Sequence, residues 1–164
     1  MNDLNLTPAE YAAFFVDFGI QDFGLNLDYS VKSIEVVDRM LQAYVGDFHL
    51  DDMADRVAVV GAGCYVGEIL IREKLADRWV DVKEVHVPGK RPDVPLGVVL
   101  CCKKTRGNLT IEGENWEQFF FIMPIITAIN ICNGMKTTMM SLYRQLHTIH
   151  LVPGTEHAPK SDMN

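Results

Sequence analysis

The chain has 164 residues, of which 48% are apolar and 23% charged, and its formal net charge is −7. That size and balance suit one globular domain with a buried core and exclude a chain that is disordered throughout. The apolar stretch 119–135 is interrupted by Pro124, Thr127, Asn130 and Asn133, so no membrane span is expected there. The opening MNDLNLTPAE has neither the basic start nor the apolar run of a secretory leader, which points to a cytoplasmic protein.

The first helix is signposted from residue 7. Thr7 can cap, Pro8 suits the first helical position, and Glu10 completes a capping box, with Leu6 and Tyr11 at the staple positions. Tyr11, Phe14, Phe15 and Phe18 recur at helical spacing as an inner aromatic stripe, and Gly19 is the expected stop. A second helix is expected after Ser30, its cap, with Ile34, Val37, Leu41 and Tyr44 on one face and Gly46 ending it. Asp51 or Asp52 opens a third helix, in which Val57, Val60, Cys64, Gly67 and Ile71 keep a 3–4 spacing up to Leu75 or Ala76.

The pattern then changes to strand. Residues 79–87 alternate and are rich in valine, 88–95 form a proline loop, and 96–102 form a second strand. A basic turn follows at 103–108, then a short return at 109–111, a turn at 113–115 and a strand over 116–122. Pro124 starts a short helix carrying Ile125, Ile126, Ile129 and Ile131, with Gly134 as its stop. A last helix spans 135–150, with Met139, Leu142, Tyr143 and Leu146 on one side. Helices, then strands, then helices make an α+β fold: N-terminal helices, a small, mostly antiparallel sheet and C-terminal helices around one core. A single domain is expected over 1–152, with 153–164 a disordered tail.

VAVVGAGCYVGEIL, residues 57–70, resembles a dinucleotide fingerprint, and Asp81 lies twenty residues after Gly61. The third glycine of that pattern should stand at 66, which is Val66, and no crossover helix follows residue 87. A continuous helix from about 52 to 75 is the preferred reading, with Gly61, Cys64 and Gly67 admitting a close neighbour. A small-molecule or nucleotide site at Gly61–Gly67 stays as the alternative.

Leu27, Asp28, Ser33 and Asp38, then Gly63, Tyr65, Gly67 and Glu68, then Trp79, together with the closing stretch NGMKTTMMSLYRQL, form a pattern over about two-thirds of the chain. It resembles one found in small, poorly characterised bacterial proteins. That resemblance brings no established activity. Some similar small acidic proteins accompany bacterial toxins as immunity proteins, and the likeness implies that role here.

Charge placement points the same way. Residues 1–55 hold eleven acids against Lys32 and Arg39, a charge of −9, while the remainder carries +2. Such a field repels phosphate backbones and attracts a basic protein, although an acidic surface also serves solubility alone. EGENWEQ, residues 112–118, places acids around Trp116, the makeup of an interface anchor or else the start of a strand. The expected partner-binding residues are therefore Asp47, Asp51, Asp52, Asp55, Glu112, Glu114, Trp116 and Glu117. The partner would be a basic protein, such as a toxin domain, and neither nucleic acid nor membrane; a homodimer is left open.

Chemistry-bearing motifs are scarce. Cys64, Cys101, Cys102 and Cys132 form no CxxC pair and read as reduced thiols, with Cys101 and Cys102 on opposite faces of a strand. His147 and His150 have helical spacing, but no nearby acid or cysteine completes a metal set. Glu68 sits in an apolar helix. There it could act as an acid or base, with Cys64 nearby, or simply meet a tryptophan N–H, a helix end or Arg72. No enzyme activity, cofactor or metal is expected.

Overall fold

The computed structural model describes residues 6–84, 94–103 and 119–151. Residues 85–87 of the first expected strand, 88–93 of the 88–95 proline loop, 104–108 of the 103–108 turn, the elements at 109–118 and the tail at 153–164 lie outside the described residues. Where the chain is described, 82–84 turn instead of continuing the strand, 95–97 are a 3-10 turn where alternation predicts strand from 96, and Lys103 ends a strand. In chain order the elements are α1 (Pro8–Phe23), α2 (Ser33–Ala43), α3 (Met53–Arg72), β1 (Arg78–Asp81), β2 (Val98–Lys103), β3 (Phe119–Ile122), α4 (Pro124–Cys132) and α5 (Met139–Leu151). A single 3-10 turn, Pro95–Gly97, leads into β2. Among the described residues, three strands pair antiparallel in the order β1-β2-β3, with Trp79 opposite Leu100 and Leu100 opposite Ile122. The fold is α+β.

The Thr7 capping box is formed in full: the Glu10 carboxylate accepts the Thr7 N–H at 2.7 Å, and Thr7 Oγ1 accepts the Glu10 N–H at 3.3 Å. The helix does not stop at Gly19. It continues to Phe23 and closes on Gly24, whose φ of 60° is the left-handed cap that glycine supplies without strain. Gly19 instead lies on the buried face, where an added Cβ would stand 2.6 Å from Leu27 Cδ1. The aromatic stripe is also narrower than its spacing implies. Tyr11 and Phe15 are buried and Phe18 is half-buried, but Phe14 is 51% exposed. The buried face is centred on Tyr11, Ala12, Phe15 and Gly19, and Phe14 is rotated about 100° from Phe15.

Ser30 does not cap α2. Its carbonyl accepts the Ser33 N–H at 3.0 Å in a turn before the helix, while its own N–H is taken by Asp28 Oδ1. Lys32 occupies the cap position and makes no side-chain cap bond. Ile34, Val37 and Leu41 are fully buried as expected, and Tyr44 is half-buried. Asp52, rather than Asp51, caps α3, accepting the N–H groups of Ala54 and Asp55. α3 ends at Arg72, before Lys74 turns left-handed at φ 59°. α5 begins at Met139, not 135. Thr138 Oγ1 accepts the Ser141 N–H at 2.9 Å, and residues 135–138 form the turn ahead of it.

α3 is the centre of the molecule. From Ala58 to Gly67 every residue is buried, and it packs against α1 on one side and α4 on another. Its glycines set those distances. A Cβ on Gly61 would stand 2.8 Å from Phe15 Cβ, and one on Gly63 would stand 2.5 Å from Ile125 Cα on α4. The sheet alternates as its strands require: Leu100 and Cys102 join the main core, while Val99 and Cys101 join a smaller cluster with Val80, Val82 and Val94. Among the described residues, no helix is long and apolar enough to cross a membrane.

Candidate functional site

Two regions gather the residues singled out above. The first is polar and largely internal. Tyr65, on α3, places its hydroxyl 2.8 Å from the Tyr29 N–H and 2.7 Å from Ser33 Oγ. Ser33 Oγ donates its one proton to the Ser30 carbonyl at 2.6 Å, so the Tyr65 O–H donates to Ser33 and accepts from Tyr29. That relay holds the left-handed Tyr29, at φ 59°, in the turn before α2. Burial raises the Tyr65 hydroxyl above its ordinary range and so keeps it neutral.

Beside the relay, the Arg72 guanidinium lies over the Tyr29 ring, 3.7 Å from its centroid. Sequence spacing offered Glu68 as its partner. Glu68 Oε1 instead accepts the Trp79 indole N–H at 2.9 Å. The indole lies directly against Gly67, where any Cβ would collide with the ring. Of the resemblance positions, Asp28, Ser33, Asp38, Tyr65, Glu68 and Trp79 make side-chain hydrogen bonds, and Leu27, Gly63 and Gly67 fill close contacts. Each therefore has a folding role.

The glycine segment forms no phosphate loop. Residues 61–67 lie inside an unbroken helix, and their backbone N–H groups belong to its ladder. Cys64, Cys101, Cys102 and Cys132 are all buried. Burial pushes the Cys64 thiol up, Cys102 to about 12 and Cys132 to about 11, so these sulfurs stay protonated and poorly nucleophilic at neutral pH. His147 stacks on Tyr143 with ring centroids 5.8 Å apart. Among the described residues, no group of three or more His, Cys, Asp or Glu could hold a metal ion.

The second region is the acidic end between α2 and α3. Asp47, Asp51 and Asp52 are exposed and Asp55 is half-buried. They are not equivalent. Asp52 caps α3, and Asp55 Oδ2 accepts the His49 N–H at 2.8 Å, which fixes the loop. Among the described residues, the carboxylates of Asp47 and Asp51 accept no hydrogen bond. Tyr44 lies among these acids. Burial raises its hydroxyl, and the negative charges of Asp55, Asp22 and Asp52 add to that shift, so α1 contributes Asp22 to the same field.

Three half-exposed apolar side chains belong to this end. Val45 is 45% exposed and Met53 52%, and Met135 at 56% follows Gly134, which approaches Val45. The Gly46 N–H to Cys132 carbonyl bond at 3.1 Å ties the loop to the end of α4. Pattern reading identified the acids here but not these apolar neighbours, because isolated valine and methionine carry no local signal. Glu112, Glu114, Trp116 and Glu117 lie outside the described residues. No family model, curated protein or solved structure matches the chain.

Proposed function

We propose that the protein binds a cationic protein partner and neutralises it by occlusion, in the manner of an immunity protein acting on a toxin domain. Carboxylates would stand in for an anionic substrate of the partner, and apolar side chains would anchor the contact. The observation that carries this reading is the pairing of Asp47 and Asp51, exposed and, among the described residues, accepting no side-chain hydrogen bond, with half-exposed Val45, Met53 and Met135. Apolar anchors inside a charged rim are the anatomy of a protein interface, and the charge fixes the sign of its partner. The −9 charge over residues 1–55 extends the field that would steer the encounter. Glu112, Glu114, Trp116 and Glu117 belong to the same proposal on sequence grounds.

The test is retention of proteins from the native host on the immobilised chain over a salt series. A specific partner should be lost as salt rises, and also on the double substitution Asp47→Lys, Asp51→Lys. Retention that ignores both salt and the charge reversal overturns the reading.

A further inference from the structure

We infer that α1 carries, on its outward face, a second packing seam that receives a basic amphipathic helix from a partner protein. Ala13, Val16, Ile20 and Phe23 are spaced 3, 4 and 3 residues apart, the a/d rhythm with which one helix packs against another. Of the four, Val16 also packs against the main core beside the face turned to α3, and Ala13, Ile20 and Phe23 form the exposed part of the seam. Ala13 is exposed and Val16 half-buried, while Ile20 is 51% exposed and Phe23 49%. Phe23 makes an edge-on contact with Phe18 at 5.3 Å between centroids.

Charge selects the occupant. In that register Asp17 and Glu10, whose carboxylate also closes the Thr7 capping box, fall at the e positions beside the seam, and α1 contains no base. Facing Lys or Arg on an incoming helix would complete those positions. An antiparallel second copy would set the acidic row against itself, and nucleic acid or an anionic bilayer would be repelled. A cationic helix with an apolar stripe is the chemistry that fits both seam and rim. This inference rests on the cationic-partner reading but names a different surface from the acidic end.

The probe is a synthetic three-heptad helix with Leu at a and d and Lys at e and g, titrated calorimetrically into the intact chain. Its twin carries Glu in place of Lys. The Lys helix should bind and the Glu twin should not. Ile20→Ser and Ala13→Arg should each weaken binding at least about tenfold, and Asp17→Lys should weaken it and flatten its salt dependence. Both seam positions are exposed, and Ala13→Arg leaves the Phe18–Phe23 contact intact, so circular dichroism should show an unchanged fold. No binding by the Lys helix, or equal binding by the seam variants, overturns the inference. So does a chain that is dimeric until Ile20 is replaced, because the occupant is then a second copy. If binding follows Asp47 and Asp51 instead, the seam is refuted while the acidic end stands. If the seam variants abolish capture of the host partner and Asp47→Lys, Asp51→Lys does not, the seam stands and the acidic-end assignment falls.

Discussion

The carboxylate of Asp38 on α2 accepts the backbone N–H of Met139 at 2.6 Å, across 101 residues of chain. Its second oxygen accepts the Met140 N–H at 3.0 Å. Helix α5 thus receives a cap from another helix, and α2 and α5 are locked together at that point. The negative charge also suits the positive end of the α5 dipole. Burial is the largest influence on this group and raises its pKa, with the two N–H bonds working in the opposite direction.

Removing that cap should be costly. Asp38→Ala is expected to lower unfolding stability by about 1–2 kcal/mol, the scale of a lost N-cap, and to increase hydrogen exchange at Met139 and Met140 first. The pH dependence has a defined sign. Because the folded pKa lies above the unfolded value of about 3.8, the titration contribution is fully present below that value and is lost as pH rises through the folded pKa. Denaturant midpoints of wild type relative to Asp38→Asn should therefore fall as pH rises through that window. A difference that grows with pH contradicts the assignment.

Gly63→Ala tests the closest helix approach. The new methyl would stand 2.5 Å from Ile125 Cα and 2.8 Å from its nitrogen, so the backbone of α4 has to move. Alanine favours a helix over glycine by about 1 kcal/mol, yet overpacking against backbone costs about 1–3 kcal/mol. A lower thermal midpoint is expected, and a raised one would show that α3 and α4 are not packed this tightly.

Tyr65→Phe keeps the ring and deletes the relay. Ser33 Oγ retains the Ser30 carbonyl, but the Tyr29 N–H loses its acceptor inside a left-handed turn. An unmade bond at a partly buried site costs about 1–3 kcal/mol. Chemical denaturation should show that loss, with faster exchange at the Tyr29 amide. Unchanged protection at Tyr29 would mean the hydroxyl does not hold the turn.

The four acids at the α2–α3 junction, Asp47, Asp51, the cap Asp52 and Asp55 in the first turn of α3, should separate by role. Asp52→Ala removes a cap and should cost about 0.5–2 kcal/mol, and Asp55→Ala removes the bond to His49 and should cost about 0.5–1.5 kcal/mol. Asp47→Ala and Asp51→Ala should stay within about 0.5 kcal/mol of wild type. Four equal effects in thermal melts would erase the distinction between scaffold and contact surface.

Local chemistry made much of the chain legible. The Thr7 box, the Pro124 helix start and the alternation that sends Cys101 and Cys102 to opposite sides all follow from covalent geometry and backbone hydrogen-bonding within a few residues. Helix ends are less legible in local sequence. Gly19 is buried because Leu27 needs the space, and α5 starts late because Thr138 and the distant Asp38 supply its caps. The amino-acid order by itself determined where the helices lie and how strongly the opening third is charged, whereas the first strand stops at Asp81 and the second begins only after the Pro95–Gly97 turn. Only the tertiary structure decided that Glu68 meets Trp79 while Arg72 covers Tyr29, that Asp52 and Asp55 are committed to the scaffold, and that Ile20 and Phe23 face outward. Those choices depend on which side chains other elements bring within contact distance, and spacing along one helix carries no record of its neighbours.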